Sequence, residues 1–180
     1  MTYPTLIIDN FIDDKDFDTL IESFDNASFN AGSNNPNLFS YNIPSNSIHR
    51  PMIDLLNSKL CSTLERIYNK SITKYTGGGV ARYKEGQNID LHADWAPEDD
   101  YVQTQKKEQV SISSVFYFNE DFIGGELIFC KDKESSDFSL MNLKPQKGTV
   151  IFFDSLKWHY TTPIISGVKY SYTNFYSLKS

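Results

Sequence analysis

The chain has 180 residues, 39% of them hydrophobic and 22% charged, a balance that fits a soluble globular protein and excludes a disordered or membrane-spanning class. That length suffices for one domain with a substantial core and no need of disulfide staples. A net charge of −6 argues against a general nucleic-acid binder, whose affinity rests on a basic surface.

Aromatic residues are plentiful, with 13 Phe and 11 Tyr against 2 Trp, and such side chains suit pleated surfaces, so a β-dominated core is expected. Cys61 and Cys130 stand far apart without partner spacing. They are expected to stay reduced, although a disulfide between them is left open. The apolar run Leu6 to Ile8 is short and follows no basic segment, and no stretch reaches transmembrane length. The expected setting is cytosolic.

Thr5 to Ile8 reads as a short strand, followed by an Asp9-Asn10 turn. Asp13, Asp14 and Asp16 suit a helix N-terminus, where carboxylates complement the dipole. Phe17, Leu20, Ile21 and Phe24 then recur at helical spacing, which predicts a helix from about Asp14 to Asn26. Asn30 to Asn37 is loop-like in composition. Ser47 is placed to cap a second helix, whose stripe of Met52, Leu55, Leu56, Leu60, Leu64 and Ile67 runs to about Asn69. His49 falls at its start, as a surface or capping histidine.

From Ser71 the pattern turns to strands. Gly77-Gly78-Gly79 marks a bend or a close backbone approach. Val80 to Lys84 reads as a strand, Glu85 to Asn88 as a turn, and Ile89 to Asp94 as the returning strand. Pro97 to Gln109 is a long polar loop of the kind that serves as a lid or binding element. Further strands are read at Val110 to Asn119, Glu126 to Cys130, Phe138 to Leu143, Thr149 to Asp154, from His159, and at Lys169 to Ser177. Two helices followed by about eight strands indicate a mainly β architecture with flanking helices, of jelly-roll type. Residues 1–180 are read as a single domain, with 1–70 supplying the N-terminal strand and supporting helices and 71–180 the jelly-roll core.

His92 and Asp94 are two residues apart, so on a strand both side chains leave one face. Two histidines and a carboxylate on one side of an ion form the facial triad of non-haem Fe(II) oxygenases. The tripeptide alone is weak evidence, because a strand histidine beside an aspartate is equally an ordinary hydrogen-bonded pair. The chain has 3 histidines, and with His49 set aside His159 is left to complete the set.

At this point the chain resembles the Fe(II)- and 2-oxoglutarate-dependent oxygenases of the prolyl 4-hydroxylase-like family. The pieces occur in the family's order: Tyr83-Lys84-Glu85-Gly86-Gln87 before His92-x-Asp94, then Phe116-Tyr117-Phe118-Asn119 and Gly124-Gly125-Glu126-Leu127-x-Phe129. Pro145-x-x-Gly148 precedes Phe152-Phe153, and His159-x-x-x-Pro163 precedes Gly167-x-Lys169-Tyr170. Together they cover roughly the last hundred residues.

The resemblance implies a double-stranded β-helix of the cupin-like kind. It also implies iron ligands at His92, Asp94 and His159. Lys169 matches the basic residue for the distal carboxylate of 2-oxoglutarate, Tyr117 a tyrosine sharing that carboxylate, and Tyr83 one lining the same pocket. Thr173, on the face of Lys169 by strand alternation, adds a hydroxyl. Taken singly, Lys169 reads as a solvated edge-strand lysine and the tyrosines as core packing; beside a complete triad the cofactor role is the expected one.

Fe(II), 2-oxoglutarate and O2 are the implied cofactors, with ascorbate as auxiliary reductant. Implied with them is hydroxylation of an unactivated C–H bond, with succinate and CO2 as co-products. Related halogenases carry a small residue where Asp94 stands, so the intact carboxylate points to hydroxylation. Peptidyl proline is the first expected substrate, and a free amino acid, another small metabolite or a nucleobase are alternatives. The Arg-rich segment of nucleobase demethylases has no counterpart in Lys169 to Tyr176. A non-catalytic, metal-retaining jelly-roll binding module is the alternative of another class. A zinc hydrolase is weaker still, as no general-base Glu accompanies the histidines. Trp95 and Tyr101, with the loop around the latter, stand where substrate gating is expected, or are incidental aromatics of a polar loop. Expected partners are a peptide or amino-acid substrate, with no membrane and no nucleic acid.

Overall fold

The computed structural model describes residues 3–12, 17–31, 39–95, 110–134 and 139–179. Its main sheet has seven strands in the order β1-β9-β5-β12-β4-β3-β2. These are β1 Leu6–Ile8, β2 Asn30–Ala31, β3 Phe39–Tyr41, β4 Ile72–Tyr83, β5 Ile112–Tyr117, β9 Val150–Asp154 and β12 Lys169–Leu178. A three-stranded sheet, β10-β7-β8, lies opposite, built from His159–Thr161, Leu127–Cys130 and Ser139–Leu143. A two-stranded ribbon joins β6 Ile123–Gly124 to β11 Ile164–Ser166. Every pairing is antiparallel. This is the expected mainly β double-stranded β-helix with two helices on its flank.

The two faces of the main sheet carry different cores, as alternation requires. On the inner face Tyr117, Ile151 and Phe153 meet Leu127 and Phe129 of the smaller sheet. The outer face turns Phe116, Val150, Phe152, Tyr170, Tyr172 and Tyr176 toward the helices. Helix α1, Phe17–Asp25, buries Phe17, Leu20 and Phe24, the expected stripe. Phe17 packs on Phe116 and Phe118, and Phe24 on Phe118 and Tyr170. Asp13 to Asp16 lie outside the described residues, as does most of the Asn30 to Asn37 loop; its first two residues form β2.

Helix α2, Arg50–Tyr68, differs from its expectation in phase. Ile53, Leu56, Leu60, Thr63 and Leu64 are buried, whereas Leu55 is 62% exposed and Ile67 39%. His49 is the N-cap residue, without a side-chain cap bond, and Pro51 fills the first turn, where a missing N–H costs nothing. Ser47 instead accepts a hydrogen bond from the His49 amide, which caps the preceding turn.

Gly79 marks the predicted close approach, since a Cβ there would meet Tyr41 O at 2.9 Å. The register of β4 against β12 also slips between Val80 and Gly77, a bulge at this glycine run. One expected strand is absent. Ile89 to Asp94 does not return along Val80 to Lys84. It is irregular, and touches the smaller sheet at one bridge, His92 to His159. The Thr161 side chain takes the Ile89 amide and its own amide donates to the Ile89 carbonyl, so this stretch follows β10 rather than forming a hairpin with β4.

Both cysteines are free thiols. No described helix is long and apolar enough to cross a membrane.

Candidate metal centre

The bridge brings the distant histidines together. The His92 amide donates to the His159 carbonyl at 2.9 Å, and the His159 amide returns the bond at 2.8 Å. Their rings stand 4.3 Å apart, centre to centre. Asp94 follows on the same irregular segment, which is anchored next door by the Trp95 amide donating to the Ser155 carbonyl. One ligand atom from each of His92, Asp94 and His159 lies within 4.8 Å of the others. His92 Nε2 is 3.4 Å from Asp94 Oδ1, and His159 Nε2 is 3.8 Å from Asp94 Oδ2.

Tautomers follow from the backbone. His92 Nδ1 lies 2.7 Å from the Asp90 carbonyl and His159 Nδ1 lies 2.8 Å from the Lys157 carbonyl. A carbonyl only accepts, so both Nδ1 atoms carry a proton, and each Nε2, which faces the carboxylate, is the atom free to offer a lone pair when its ring is neutral. Burial alone would raise the Asp94 carboxyl. The His159 and His92 imidazoles and the Ser113 hydroxyl outweigh it and hold the group below the usual carboxylate range. Burial pushes His159 toward its neutral form against the pull of Asp94. In His92 burial pulls the same way but is outweighed by Asp94 and Asp90, and the imidazole is raised.

An ionised carboxylate with imidazole lone pairs is the donor set a divalent cation needs. Asp94 Oδ2 is buried without a hydrogen-bond partner among the described residues, an orphan that costs stability unless something positive meets it. The residues therefore fit a facially bound Fe(II). Phe153 closes the site from below, its ring 4.8 Å from that of His159.

On the inner face of the main sheet, β4, β5 and β12 bring a second group together. Lys169 pairs in register with Tyr83, and Ser171 with Tyr117. Lys169 is 2% exposed, with Nζ donating to the Gly125 carbonyl at 3.2 Å and lying 4.5 Å from the centre of the Tyr83 ring. It is a buried lysine, not a solvated edge residue. Burial lowers its ammonium to about 7, with Glu126 pulling the other way. Burial likewise raises both Tyr83 and Tyr117, keeping their hydroxyls protonated as donors.

Thr173 is half-buried two residues beyond Ser171, on the face of Lys169, where strand alternation puts it. Trp95 is buried, 9% exposed, beside Asp94. Tyr101 and Pro97 to Gln109 lie outside the described residues.

Two further residues of the site escape a reading by motif, and a third, Gly125, is in the motif without its reason. Ser171, 3% exposed, lies between Lys169 and Thr173 in the same inward row. Ser113, fully buried, shares the inner face of β5 with Tyr117. Gly125 has φ +70°, and a Cβ there would come 2.6 Å from Ile164 Cδ1 and 3.3 Å from Lys169 Cδ, so its bareness makes room for the lysine stem. A separate cavity of about 250 Å³ lies between α2, β3 and the outer face of β4, and shares no residue with these clusters.

A double-stranded β-helix bearing two histidines and a carboxylate at one end of its interior defines a class, the non-haem Fe(II) enzymes. The chain belongs to the 2OG-Fe(II) oxygenase superfamily, whose family model matches residues 78–177. Family and triad together imply Fe(II) and 2-oxoglutarate as cofactors.

Solved structures share the fold. A prolyl hydroxylase from Trichoplax adhaerens, in complex with a hypoxia inducible factor oxygen degradation domain peptide fragment, aligns with a TM-score of 0.74 at 18% identity, over 96% of this chain and 82% of its own. A Pseudomonas putida prolyl-4-hydroxylase aligns at 0.70 and 15% identity, over 98% and 93%. The viral collagen prolyl hydroxylase of Paramecium Bursaria Chlorella virus-1, in its 2-oxoglutarate complex, aligns at 0.61 and 24%, over 97% and 96%. Comparison with curated protein sequences found no match.

Proposed function

We propose that this oxygenase hydroxylates an unactivated C–H bond of a peptidyl proline, consuming O2 and 2-oxoglutarate and releasing succinate and CO2. The observation that carries the oxidative reading is the complete triad set beside a buried lysine that has no carboxylate partner within bonding distance among the described residues. His92, Asp94 and His159 would hold Fe(II) through the two Nε2 atoms and one carboxylate oxygen. When bound, the ion and the 2-oxo acid would together supply the electrons that activate O2 for C–H hydroxylation.

The remaining work falls to the protein's own side chains. Lys169 and the Tyr117 hydroxyl would pair with the distal carboxylate of 2-oxoglutarate, a charge too costly to bury without a cation and donors. Tyr83 lines the same pocket, and Thr173 and Ser171 add hydroxyls along the row. The carboxylate of Asp94 occupies the position a halogenase would leave to chloride, which supports hydroxylation.

Prolyl specificity draws its support from the fold shared with prolyl hydroxylases, one of them solved with a peptide. The test is a mass-spectrometric screen of proline-containing peptides and free amino acids, run with Fe(II), 2-oxoglutarate and ascorbate as reductant. A single oxygen added to a peptidyl proline, matched by succinate, is expected. Oxygen added only to free amino acids would replace the proposed substrate class, and succinate formation that survives Asp94→Ala would remove the assigned centre.

A further inference from the structure

Asn119 closes the run Phe116-Tyr117-Phe118-Asn119, yet the site as described gives it no task. It stands two residues beyond the end of β5 and is 7% exposed, a costly place for a side-chain amide unless both of its ends are bonded. Both are. Nδ2 donates to the Val168 carbonyl at 2.7 Å and to Asp121 Oδ1 at 2.6 Å, and Oδ1 accepts from the Tyr170 amide at 2.8 Å. Two acceptors at one end and a donor at the other fix which way round the amide sits.

These contacts fall on either side of Lys169. β12 begins at this lysine, which pairs with Tyr83 of β4 along one edge. Along the other edge the ladder with β5 starts only at Ser171, opposite Tyr117, and the Phe118 amide adds one bond to the Tyr170 carbonyl. Beyond that point the Tyr170 amide and the Val168 carbonyl face a strand that has already ended. An asparagine side chain carries the donor and the acceptor of a peptide group, so Asn119 supplies the missing rung. The same stretch is seated closely on the loop after Asn119, since a Cβ on Gly167 would come 2.7 Å from the Asp121 carbonyl oxygen.

We propose that Asn119 is a positioning residue for Lys169: by bonding the backbone before and after the lysine, it holds the first residue of β12 in line, so that the buried ammonium meets the distal carboxylate of 2-oxoglutarate from a fixed direction. The inference rests on the reading of Lys169 as the residue that receives that carboxylate. A lysine stem is long and flexible, so its aim depends on how firmly its backbone is set. Aspartate cannot replace Asn119, because it has no donor for the Val168 carbonyl and adds a negative charge beside Asp121.

The experiment is calorimetry of the anaerobic full chain near neutral pH, titrated with Mn(II) and then, once loaded, with 2-oxoglutarate, at a temperature well below every variant's melt. Asn119→Ala should bind 2-oxoglutarate about 10-fold more weakly, the worth of one misaligned hydrogen bond to a charged group, with Mn(II) affinity unchanged. Asn119→Asp, of nearly the same volume, should lose as much and covers the case in which the alanine variant does not fold. In a Lys169→Met background neither substitution should cost anything further, because no ammonium is left to aim.

Unchanged 2-oxoglutarate affinity in the Asn119 variants, with Lys169→Met weakened, overturns the inference alone. Parallel losses of Mn(II) and 2-oxoglutarate binding assign Asn119 to general support of the sheet and overturn it too, as does a loss that repeats in full without the Lys169 ammonium. A Lys169→Met protein that binds 2-oxoglutarate as tightly as wild type removes the underlying reading of the lysine itself.

Discussion

If Lys169 receives the distal carboxylate of 2-oxoglutarate as proposed, binding of the keto acid must depend on pH. Burial lowers its ammonium to about 7 in the free protein, because its polar contacts are a backbone carbonyl and an aromatic face while Glu126 acts only from a distance. A carboxylate placed against it would restore the charge. Below that value the lysine is already protonated and binding is flat with pH. Above it, each molecule of 2-oxoglutarate must bring a proton with it, so affinity falls by up to about tenfold per pH unit, or roughly 2.7 kcal/mol between pH 7 and 9.

Calorimetry of the anaerobic, Mn(II)-loaded protein near pH 8.5, in two buffers of different ionisation enthalpy, reads the proton directly. Close to one proton should be taken up. Lys169→Arg stays charged throughout and should lose both the uptake and the slope. An equal slope in wild type and Lys169→Arg would refute the reasoning and place the titrating group elsewhere.

The same lysine sets a stability window. Its folded value lies below the unfolded one, so between pH 7 and about 10.4 the unfolded chain holds more protons and stability from this residue rises with pH, by about 1.4 kcal/mol per unit. Lys169→Met should therefore stabilise the ligand-free protein at pH 7 and lose that advantage near pH 10, as urea unfolding at both values would show. Gly125→Ala must take a left-handed backbone and push against Ile164 and the Lys169 stem. It should cost about 1–2 kcal/mol in stability and weaken 2-oxoglutarate binding more than Mn(II) binding, and equal losses in two separate titrations would count against it. Asp94→Ala and His159→Ala should each abolish Mn(II) binding and succinate formation; full activity in either removes that residue from the triad. Leu60→Ala empties a fully buried position on α2, on the outer face of the sheet. A loss of about 2–5 kcal/mol in urea unfolding, with activity per folded molecule unchanged, is expected.

The centre was legible because its chemistry is scarce in the chain: with 3 histidines, one of them at a helix start, few triads are possible. Lys169 was legible only through the motif around it, since nothing in a lone lysine announces that it is buried. The reading of Ile89 to Asp94 as a strand picked out the side chains that the fold gathers, but from the wrong backbone. Alternation there is real, but one bridge to β10, not a ladder with β4, aims the side chains. Short strands such as β3, β6 and β11 span too few residues for period two to register, and they form because neighbouring backbone groups need partners. The expected stripe of α2 held Leu55 and left out Ile53, both apolar and near one turn, and packing against the sheet selected Ile53. Ser113 and Ser171 look like ordinary polar strand residues until the barrel closes around them.

The reciprocal amide bonds between His92 and His159 set the spacing of two ligand positions by main chain rather than by side chain. A substitution that removes either imidazole leaves that clasp intact, so the neighbouring backbone should keep its path while ion capture is lost. In a zinc finger the fold itself is forfeited with the ion; here the wall that carries the ligands has hydrogen bonds of its own.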